Sequence, residues 1–201
     1  MKKNFLAVIP VVAFTILALK PIPGELPIGA DLPKAELKMT DITGKEVSFK
    51  DAKKKNGLLV MFTCNTCPVV HGYQSRTREI CKYALDNNIG VILLNSNEGS
   101  RDDGDSYSDM KDYAKDQGYD WYYAVDKNSV MADIFGANRT PECFLFNKEE
   151  KLVYHGAIDD NARNSESVGR HHLKEAINEM NAGRDVAVKV TRSVGCGIKR
   201  L

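Results

Sequence analysis

A Cys-x-x-Cys pair between a strand-like run and a helical pattern constrains the fold of this chain more than any other feature. Residues 57–62 are mostly apolar and of strand length, which is typical of a strand buried on both faces. The run is followed by Cys64 and Cys67, and from there to about Leu85 the pattern is helical. The pair is therefore expected where a buried strand passes into a helix.

This placement gives the two cysteines a chemical interpretation. The free N–H groups and the positive dipole end at a helix N-terminus stabilise a thiolate and lower its pKa. We expect Cys64 at the helix cap, open to a partner, and Cys67 in the first turn, close enough to attack a mixed disulfide on Cys64. Pro68 fits because the first helical positions need no intrahelical N–H bond.

Two other interpretations of the pair stay open. A structural disulfide is compatible with an exported protein, although so small a ring removes little chain entropy from the unfolded state. A zinc site could use Cys64, Cys67 and His71, but structural zinc prefers four ligands and the sequence has no second Cys-x-x-Cys.

The order of predicted elements indicates an α/β fold with a mixed central sheet flanked by helices. A hairpin is expected within residues 35–49, followed by alternating strands and helices, and two strands joined by a charged turn precede the last helix. The predicted strands are residues 57–62, 89–94, 121–125, 142–146 and 151–155. The predicted helices run from the Cys-x-x-Cys segment to about residue 85, and over residues 107–117, 129–135 and 171–180.

Composition excludes several classes of protein. The 201 residues carry 28 Lys and Arg against 27 Asp and Glu, a net charge of +1, so we expect no nucleic-acid partner. Five cysteines are too few for a disulfide-stapled scaffold of this size, and their odd number leaves at least one sulfur without an intramolecular partner. We find no motif for a cofactor and no complete metal site.

The N-terminus has the pattern of an export signal. Lys2 and Lys3 precede an apolar run at residues 5–19, which is short for a membrane span of roughly 20 residues. We assign residues 1–30 to a signal peptide or signal anchor plus a proline-rich tether, and residues 31–201 to one domain with its tail. The mature protein is then expected in the periplasm, or held at the membrane by its N-terminus and facing away from the cytoplasm.

Several segments together resemble a known family. Residues 62–68 contain the Cys-x-x-Cys pair, and Asn-Arg-Thr-Pro-Glu follows about 75 residues later at residues 138–142. With residues 41–45, 154–161 and 194–199, they resemble the redoxin branch of the thioredoxin-like superfamily. These are thiol-disulfide oxidoreductases grouped with the alkyl-hydroperoxide-reductase and thiol-specific-antioxidant proteins.

The resemblance implies a thioredoxin-like fold with an N-terminal hairpin extension. It also implies that Pro141 is a cis proline against the active-site pair, and that the backbone of Thr140 pairs with an extended peptide or thiol substrate. An ordinary turn proline before a strand is the alternative.

The activity implied is dithiol-disulfide exchange with a protein or low-molecular-weight thiol substrate and a thiol electron donor. Cys64 would attack and Cys67 would resolve the mixed disulfide. One rival is a thiol peroxidase, in which Cys67 would take the peroxidatic position and Arg139 or Arg76 would assist. The other is a copper metallochaperone that would add a distant histidine such as His155.

The remaining cysteines divide into two groups. Cys81 and Cys143 are expected to be buried core residues. Cys196 lies between two glycines in the tail and is either a third redox cysteine, a thiol that pairs with another molecule, or a residue without a role. Acidic residues of the loop at 98–105 are interpreted as a solvated surface before a helix.

Overall fold

A five-stranded mixed sheet forms the centre of the structure, a computed structural model that describes residues 24–201. In spatial order its strands are β5 (Tyr122–Val125), β4 (Ile89–Asn95), β3 (Gly57–Thr63), β7 (Glu142–Asn147) and β8 (Leu152–Gly156). The β3, β4 and β5 strands are parallel, whereas β7 is antiparallel to both β3 and β8. The predicted mixed sheet is confirmed.

Helices cover both faces of this sheet. The helices are α1 (Phe49–Ala52), α2 (Pro68–Asp86), α3 (Tyr107–Gln117), α4 (Val130–Phe135) and α5 (His172–Asn181). One apolar cluster joins one face to α2, α3 and α5, and a second joins the other face to α1 and α4. Alternate residues of β3 enter the two clusters, which is why the whole run is apolar.

The predicted hairpin is present as β1 (Met39–Thr40) and β2 (Glu46–Val47), which pair antiparallel. Asp41 holds its turn, because one carboxylate oxygen accepts hydrogen bonds from the backbone N–H and the hydroxyl of Thr43. The other oxygen accepts the N–H of Tyr123 at 2.8 Å. One buried carboxylate thus attaches the hairpin to the edge strand β5.

Residues 24–30, which the sequence pattern assigns to a tether, are hydrogen-bonded to the domain. The backbone N–H groups of Leu26, Gly29 and Leu32 donate to carbonyls of the domain at 2.8 to 3.0 Å. Leu32 belongs to the second apolar cluster. The predicted signal falls mainly on residues 1–23, which lie outside the described residues. From residue 24 onward, none of the helices is long and apolar enough to cross a membrane.

Two short strands near the Cys-x-x-Cys pair were not predicted from the sequence. Short strands β6 (Arg139–Thr140) and β9 (Cys196–Gly197) pair antiparallel and bring the tail across the chain. A run of two residues is too short to show a periodic pattern. The two strands also lie far apart in the chain, so the local sequence does not indicate that they pair.

Candidate redox site

The two cysteines of the pair lie between the C-terminal end of β3 and the start of α2. Cys64 follows directly after the last residue of β3, whereas Cys67 is the N-cap of α2 and Pro68 its first residue. The predicted placement of Cys64 at the cap is therefore wrong, because the N-cap is Cys67, three residues later. Both side chains are buried, with 1% and 2% of their surface exposed.

Cys67 is the more acidic thiol of the pair, chiefly because it accepts a hydrogen bond from Cys64. A hydrogen bond from the Cys64 thiol lowers the pKa of Cys67 to about 4, against the opposing effect of burial. The backbone N–H of Val70 and the thiol and backbone N–H of Cys196 lower this pKa further. The same hydrogen bond raises the pKa of Cys64, as do burial and the nearby Asp105 carboxylate. The pKa of Cys67 therefore lies below that of Cys64.

Thr140 contacts both thiols of the pair. Its hydroxyl lies 3.3 Å from Cys64 Sγ, and its carbonyl oxygen lies 3.6 Å from Cys67 Sγ. The peptide bond between Thr140 and Pro141 is cis. Sequence analysis singled out these four residues from segments more than 70 positions apart, and the structure brings them together.

Cys196 also reaches this site. Its residue position lies opposite Thr140 in the β6–β9 pair, and its half-buried side chain packs against Cys64, Cys67 and Val70. Burial and the hydrogen bond to Cys67 raise the pKa of Cys196. Three of the five cysteines are therefore neighbours.

Asp105 is a site residue that the sequence interpretation missed. It is fully buried, although its loop was expected to be solvated. Its carboxylate accepts hydrogen bonds from the backbone N–H of Asn65 at 2.7 Å and from the Thr66 hydroxyl at 2.9 Å. The side-chain amides of Asn95 and Asn97 donate to it at 2.7 and 2.9 Å. Asp105 thus holds the two residues between the cysteines. The sequence near Asp105 did not indicate this role, because the partners of its carboxylate lie outside residues 98–105.

Asn65 is fixed from its other sides as well. Its side-chain carbonyl accepts a hydrogen bond from the hydroxyl of buried Tyr123 at 2.8 Å, and its backbone oxygen lies against His71 Nε2. His71 itself is exposed and stacks on Tyr113. The loop between the cysteines is therefore held by strand, loop and helix residues together.

A buried pair, Glu142 and His155, supports the segment before the cis proline. One carboxylate oxygen of Glu142 accepts the backbone N–H groups of Asn138 and Arg139 at 2.8 and 3.0 Å, and the other lies 2.7 Å from His155 Nε2. The His155 ring stacks on Phe144. His155 thus has a structural role, through its contacts with Glu142 and Phe144. Over residues 24–201, no group of three metal-ligating side chains could hold a metal ion.

The two arginines considered for peroxide chemistry have other contacts. Arg76 forms a buried ion pair with Asp159 at 2.7 Å and donates to the backbone oxygen of Asn161. Arg139 is exposed, with Nη1 3.5 Å from the carbonyl of Gly195.

Cys81 and Cys143 lie fully buried in the first apolar cluster, as predicted. Burial raises the pKa of both thiols, so they are unreactive at neutral pH.

Solved structures give two similar chains of unassigned function and one more distant oxidoreductase domain. An uncharacterized conserved protein from Geobacillus kaustophilus is 28% identical over 87% of this chain and 93% of its own, with a TM-score of 0.79. A hypothetical protein from Sinorhizobium meliloti is also 28% identical, over 88% and 96% of the two chains, with a TM-score of 0.79. The thioredoxin domain of a thiol-disulfide oxidoreductase from Bacteroides vulgatus shares the fold at 18% identity, over 65% and 89%, with a TM-score of 0.52.

No curated protein matches this chain. The Redoxin family model matches residues 27–170, which include the Cys-x-x-Cys pair and the cis proline. The match begins within the segment that packs against the sheet before β1, and it ends before α5 and the tail. The chain belongs to the Redoxin family and has a thioredoxin-like fold.

Proposed function

We propose that this protein is an extracytoplasmic thiol-disulfide oxidoreductase whose working groups are Cys64 and Cys67. The observation that carries the proposal is the position of Cys67 at the N-cap of α2, where its pKa is lowered to about 4, beside Cys64 and against Thr140. A thiolate that persists at neutral pH next to a protonated thiol is the starting state that disulfide exchange needs.

The local electrostatics favour Cys67 as the attacking group, which exchanges the roles expected from the sequence. The Cys67 thiolate attacks one sulfur of a substrate disulfide, and the other substrate sulfur leaves as a thiolate. Cys64 then passes its proton to that thiolate and attacks Cys67 Sγ, which releases the second substrate sulfur as a thiolate that takes its proton from solvent. One substrate disulfide becomes two thiols, and two protein thiols become the Cys64–Cys67 disulfide.

Thr140 and Pro141 are assigned to the substrate-binding edge. Thr140 places its hydroxyl beside Cys64 and its backbone carbonyl beside Cys67, where an extended peptide or a small thiol would bind. The substrate class is a protein or low-molecular-weight disulfide, with a thiol donor that restores the reduced pair. The basic and apolar pattern of residues 1–19 supports export, with either a cleaved signal or an N-terminal anchor.

The test uses Cys196→Ser protein as the background, so that only two thiols remain at the site. In glutathione redox buffers, peptide mapping should find the Cys64–Cys67 disulfide, and the protein should accelerate insulin reduction by dithiothreitol. Adding Cys67→Ser should abolish this acceleration, whereas adding Cys64→Ser should trap mixed disulfides on Cys67. Cys143→Ala is the control for loss of a cysteine away from the site. Full insulin activity without Cys67 would overturn the proposal.

A thiol peroxidase is the second candidate function, favoured by the same acidic N-cap thiol. Hydrogen peroxide would oxidise the Cys67 thiolate to a sulfenic acid, releasing water, and Cys64 would condense with it to form a disulfide and a second water. The ion pair between Arg76 and Asp159 engages the guanidinium elsewhere, which weakens this candidate. Multiple turnovers of peroxide with dithiothreitol as reductant would favour it.

Direct metal analysis of the purified protein tests the copper metallochaperone.

A further inference from the structure

The C-terminal tail lies across the site and is held there by contacts on both sides of Cys196. Beyond Cys196, the N–H of Ile198 donates to the Asn138 carbonyl at 3.1 Å, and the Ile198 side chain joins the second apolar cluster. Lys199 N donates to the side chain of buried Asn97 at 3.0 Å, and Arg200 forms an ion pair with Asp133 at 2.7 Å. The tail is therefore a docked segment with a defined register.

That register is the one expected of a substrate. Cys196 lies opposite Thr140 and Gly197 opposite Arg139 in antiparallel pairing, so the tail occupies the backbone edge before the cis proline. Gly195 allows the close approach: a Cβ atom at this position would lie 1.9 Å from the Thr140 carbonyl oxygen. The edge assigned to substrates is thus filled by the protein's own chain.

The sulfur of this docked segment sits where a substrate sulfur is needed. The Cys196 side chain packs against Cys64 and Cys67, and both its thiol and its backbone N–H interact with the Cys67 sulfur. Its half-buried position contrasts with the two nearly inaccessible thiols beneath it. Cys196 therefore lies between the buried pair and solvent.

We propose that Cys196 is an internal substrate of the site: the tail docks on the Thr140 edge, and Cys196 exchanges with Cys67. This rests on the proposed function. Starting from the Cys64–Cys67 disulfide, the Cys196 sulfur attacks Cys67 Sγ. The Cys67–Cys196 bond forms, the Cys64–Cys67 bond breaks, and the proton lost by Cys196 goes to Cys64. The number of disulfides is unchanged, so the step needs no external oxidant or reductant.

The exchange moves the oxidised bond outward. A thiol donor can reach a disulfide that includes half-buried Cys196 more readily than one formed by two sulfurs that are 1% and 2% exposed. Reduction at Cys196 then returns all three thiols without full displacement of the tail.

Cys64→Ser protein isolates the proposed bond. Oxidised glutathione should first form a mixed disulfide on Cys67, which Cys196 then displaces, so that peptide mapping finds Cys67–Cys196 in most molecules. Glutathione should remain on fewer than about one tenth of them, because the internal thiol acts at an effective concentration of millimolar or more. In Cys64→Ser/Cys196→Ser protein, glutathione should instead accumulate on Cys67 in more than about half of the molecules.

A pair of glycine variants tests the docking itself in the Cys64→Ser background. Gly195→Val places a side chain against the Thr140 carbonyl, so the yield of the Cys67–Cys196 disulfide should fall at least about tenfold. Gly197→Ala is the matched control, because its Cβ would lie 4.0 Å from the nearest neighbouring atom, the Asn138 carbonyl oxygen. Retention of the Cys64–Cys67 disulfide by Gly195→Val in an otherwise unchanged chain shows that this variant keeps its site.

The outcomes separate the two proposals. If Cys64→Ser protein accumulates glutathione on Cys67 while Cys196 stays free, the internal substrate is wrong. The proposed function then still stands, provided that Cys196→Ser protein forms the Cys64–Cys67 disulfide and reduces insulin. If that protein does neither, the proposed function is wrong. A Cys67–Cys196 disulfide mapped in Cys64→Ser protein would then still support exchange between these two sulfurs.

Discussion

Thr140 and Cys196 are direct cross-strand partners, and the same Thr140 contacts Cys64 through its hydroxyl and Cys67 through its carbonyl. One residue therefore sets the position of three sulfurs relative to one another. The contacts come from three parts of the chain: the end of a buried strand, the start of a helix, and the tail. Disulfide exchange depends on such alignment, because the attacking sulfur must approach along the bond that breaks.

The lowered pKa of Cys67 predicts an unusual titration of the reduced protein. Thiolate absorbance at 240 nm should rise near pH 4, well below the ordinary thiol value of about 8.5. Cys67→Ser should remove this transition, whereas Cys143→Ala should keep it. A reduced protein whose first thiol titrates above pH 7 would contradict the assignment of the thiolate to Cys67.

The same shift makes the stability of the reduced protein depend on pH. Because the folded-state pKa lies below the unfolded one, the native state loses its thiol proton first as pH rises. The contribution of Cys67 to the free energy of unfolding should therefore grow from about pH 4 and be complete above the unfolded value of about 8.5. It is lost as pH falls through about 4. Urea unfolding of wild type and Cys67→Ser between pH 5 and 8 measures this; a difference that shrinks with rising pH would oppose it.

Thr140→Val should make the Cys64–Cys67 pair more reducing. The Thr140 hydroxyl lowers the pKa of Cys64 and supports the reduced state, and a hydrogen bond of this kind contributes about 1 kcal/mol. Its loss should lower the reduction potential by about 20 mV in glutathione buffers. Thr40→Val, on the exposed side of the N-terminal hairpin, is the matched control and should leave the potential unchanged. A higher potential for Thr140→Val would contradict the expected role.

Asp105→Asn should destabilise the protein and loosen the loop between the cysteines. The buried carboxylate accepts four hydrogen bonds. In asparagine, an NH₂ group would replace one of the two acceptor oxygens and would lie against N–H or O–H donors that it cannot bind. We expect a loss of about 2–4 kcal/mol in the free energy of unfolding, measured in urea. Loss of the nearby charge should also lower the pKa of Cys64. Asp103→Asn, an exposed change in the same loop, should alter stability by less than about 0.5 kcal/mol.

Glu142→Ala should release the segment that precedes the cis proline. Its carboxylate satisfies the backbone N–H groups of Asn138 and Arg139, which would lose these partners. Their amide protons should exchange at least about tenfold faster, and the protein should lose about 1–3 kcal/mol of stability. Glu142→Gln keeps an acceptor oxygen and should restore much of the protection. Unchanged exchange in Glu142→Ala would show that other contacts hold this segment.

Local patterns were sufficient for the elements that bear the site. The apolar run of β3 and the spacing of apolar residues along α3 predicted the bounds of these elements within a residue. A strand buried on both faces is a continuous apolar run, and a helix buried on one face has apolar residues at helical spacing. The pairing of the Cys-x-x-Cys segment with Thr140 and Pro141 came from the family resemblance, since no local pattern connects segments so far apart.

The helix boundary shows where local patterns stop. The sequence placed the start of α2 near Cys64, but the backbone N–H of Asn65 is bound by Asp105 and its backbone oxygen lies against His71. These contacts hold residues 64–66 outside the helix and move the cap to Cys67. The position of Cys67 at the N-cap therefore depends on a buried carboxylate 38 positions away from it in the chain.

The sequence by itself predicted the class of fold, the candidate pair of cysteines and the two core cysteines, because hydrophobic periodicity and residue chemistry are local properties. Only the tertiary structure decided which thiol lies at the helix N-terminus and where the tail cysteine lies. Both depend on hydrogen bonds between segments far apart in the chain, and such bonds form only once the sheet and its helices have brought those segments together.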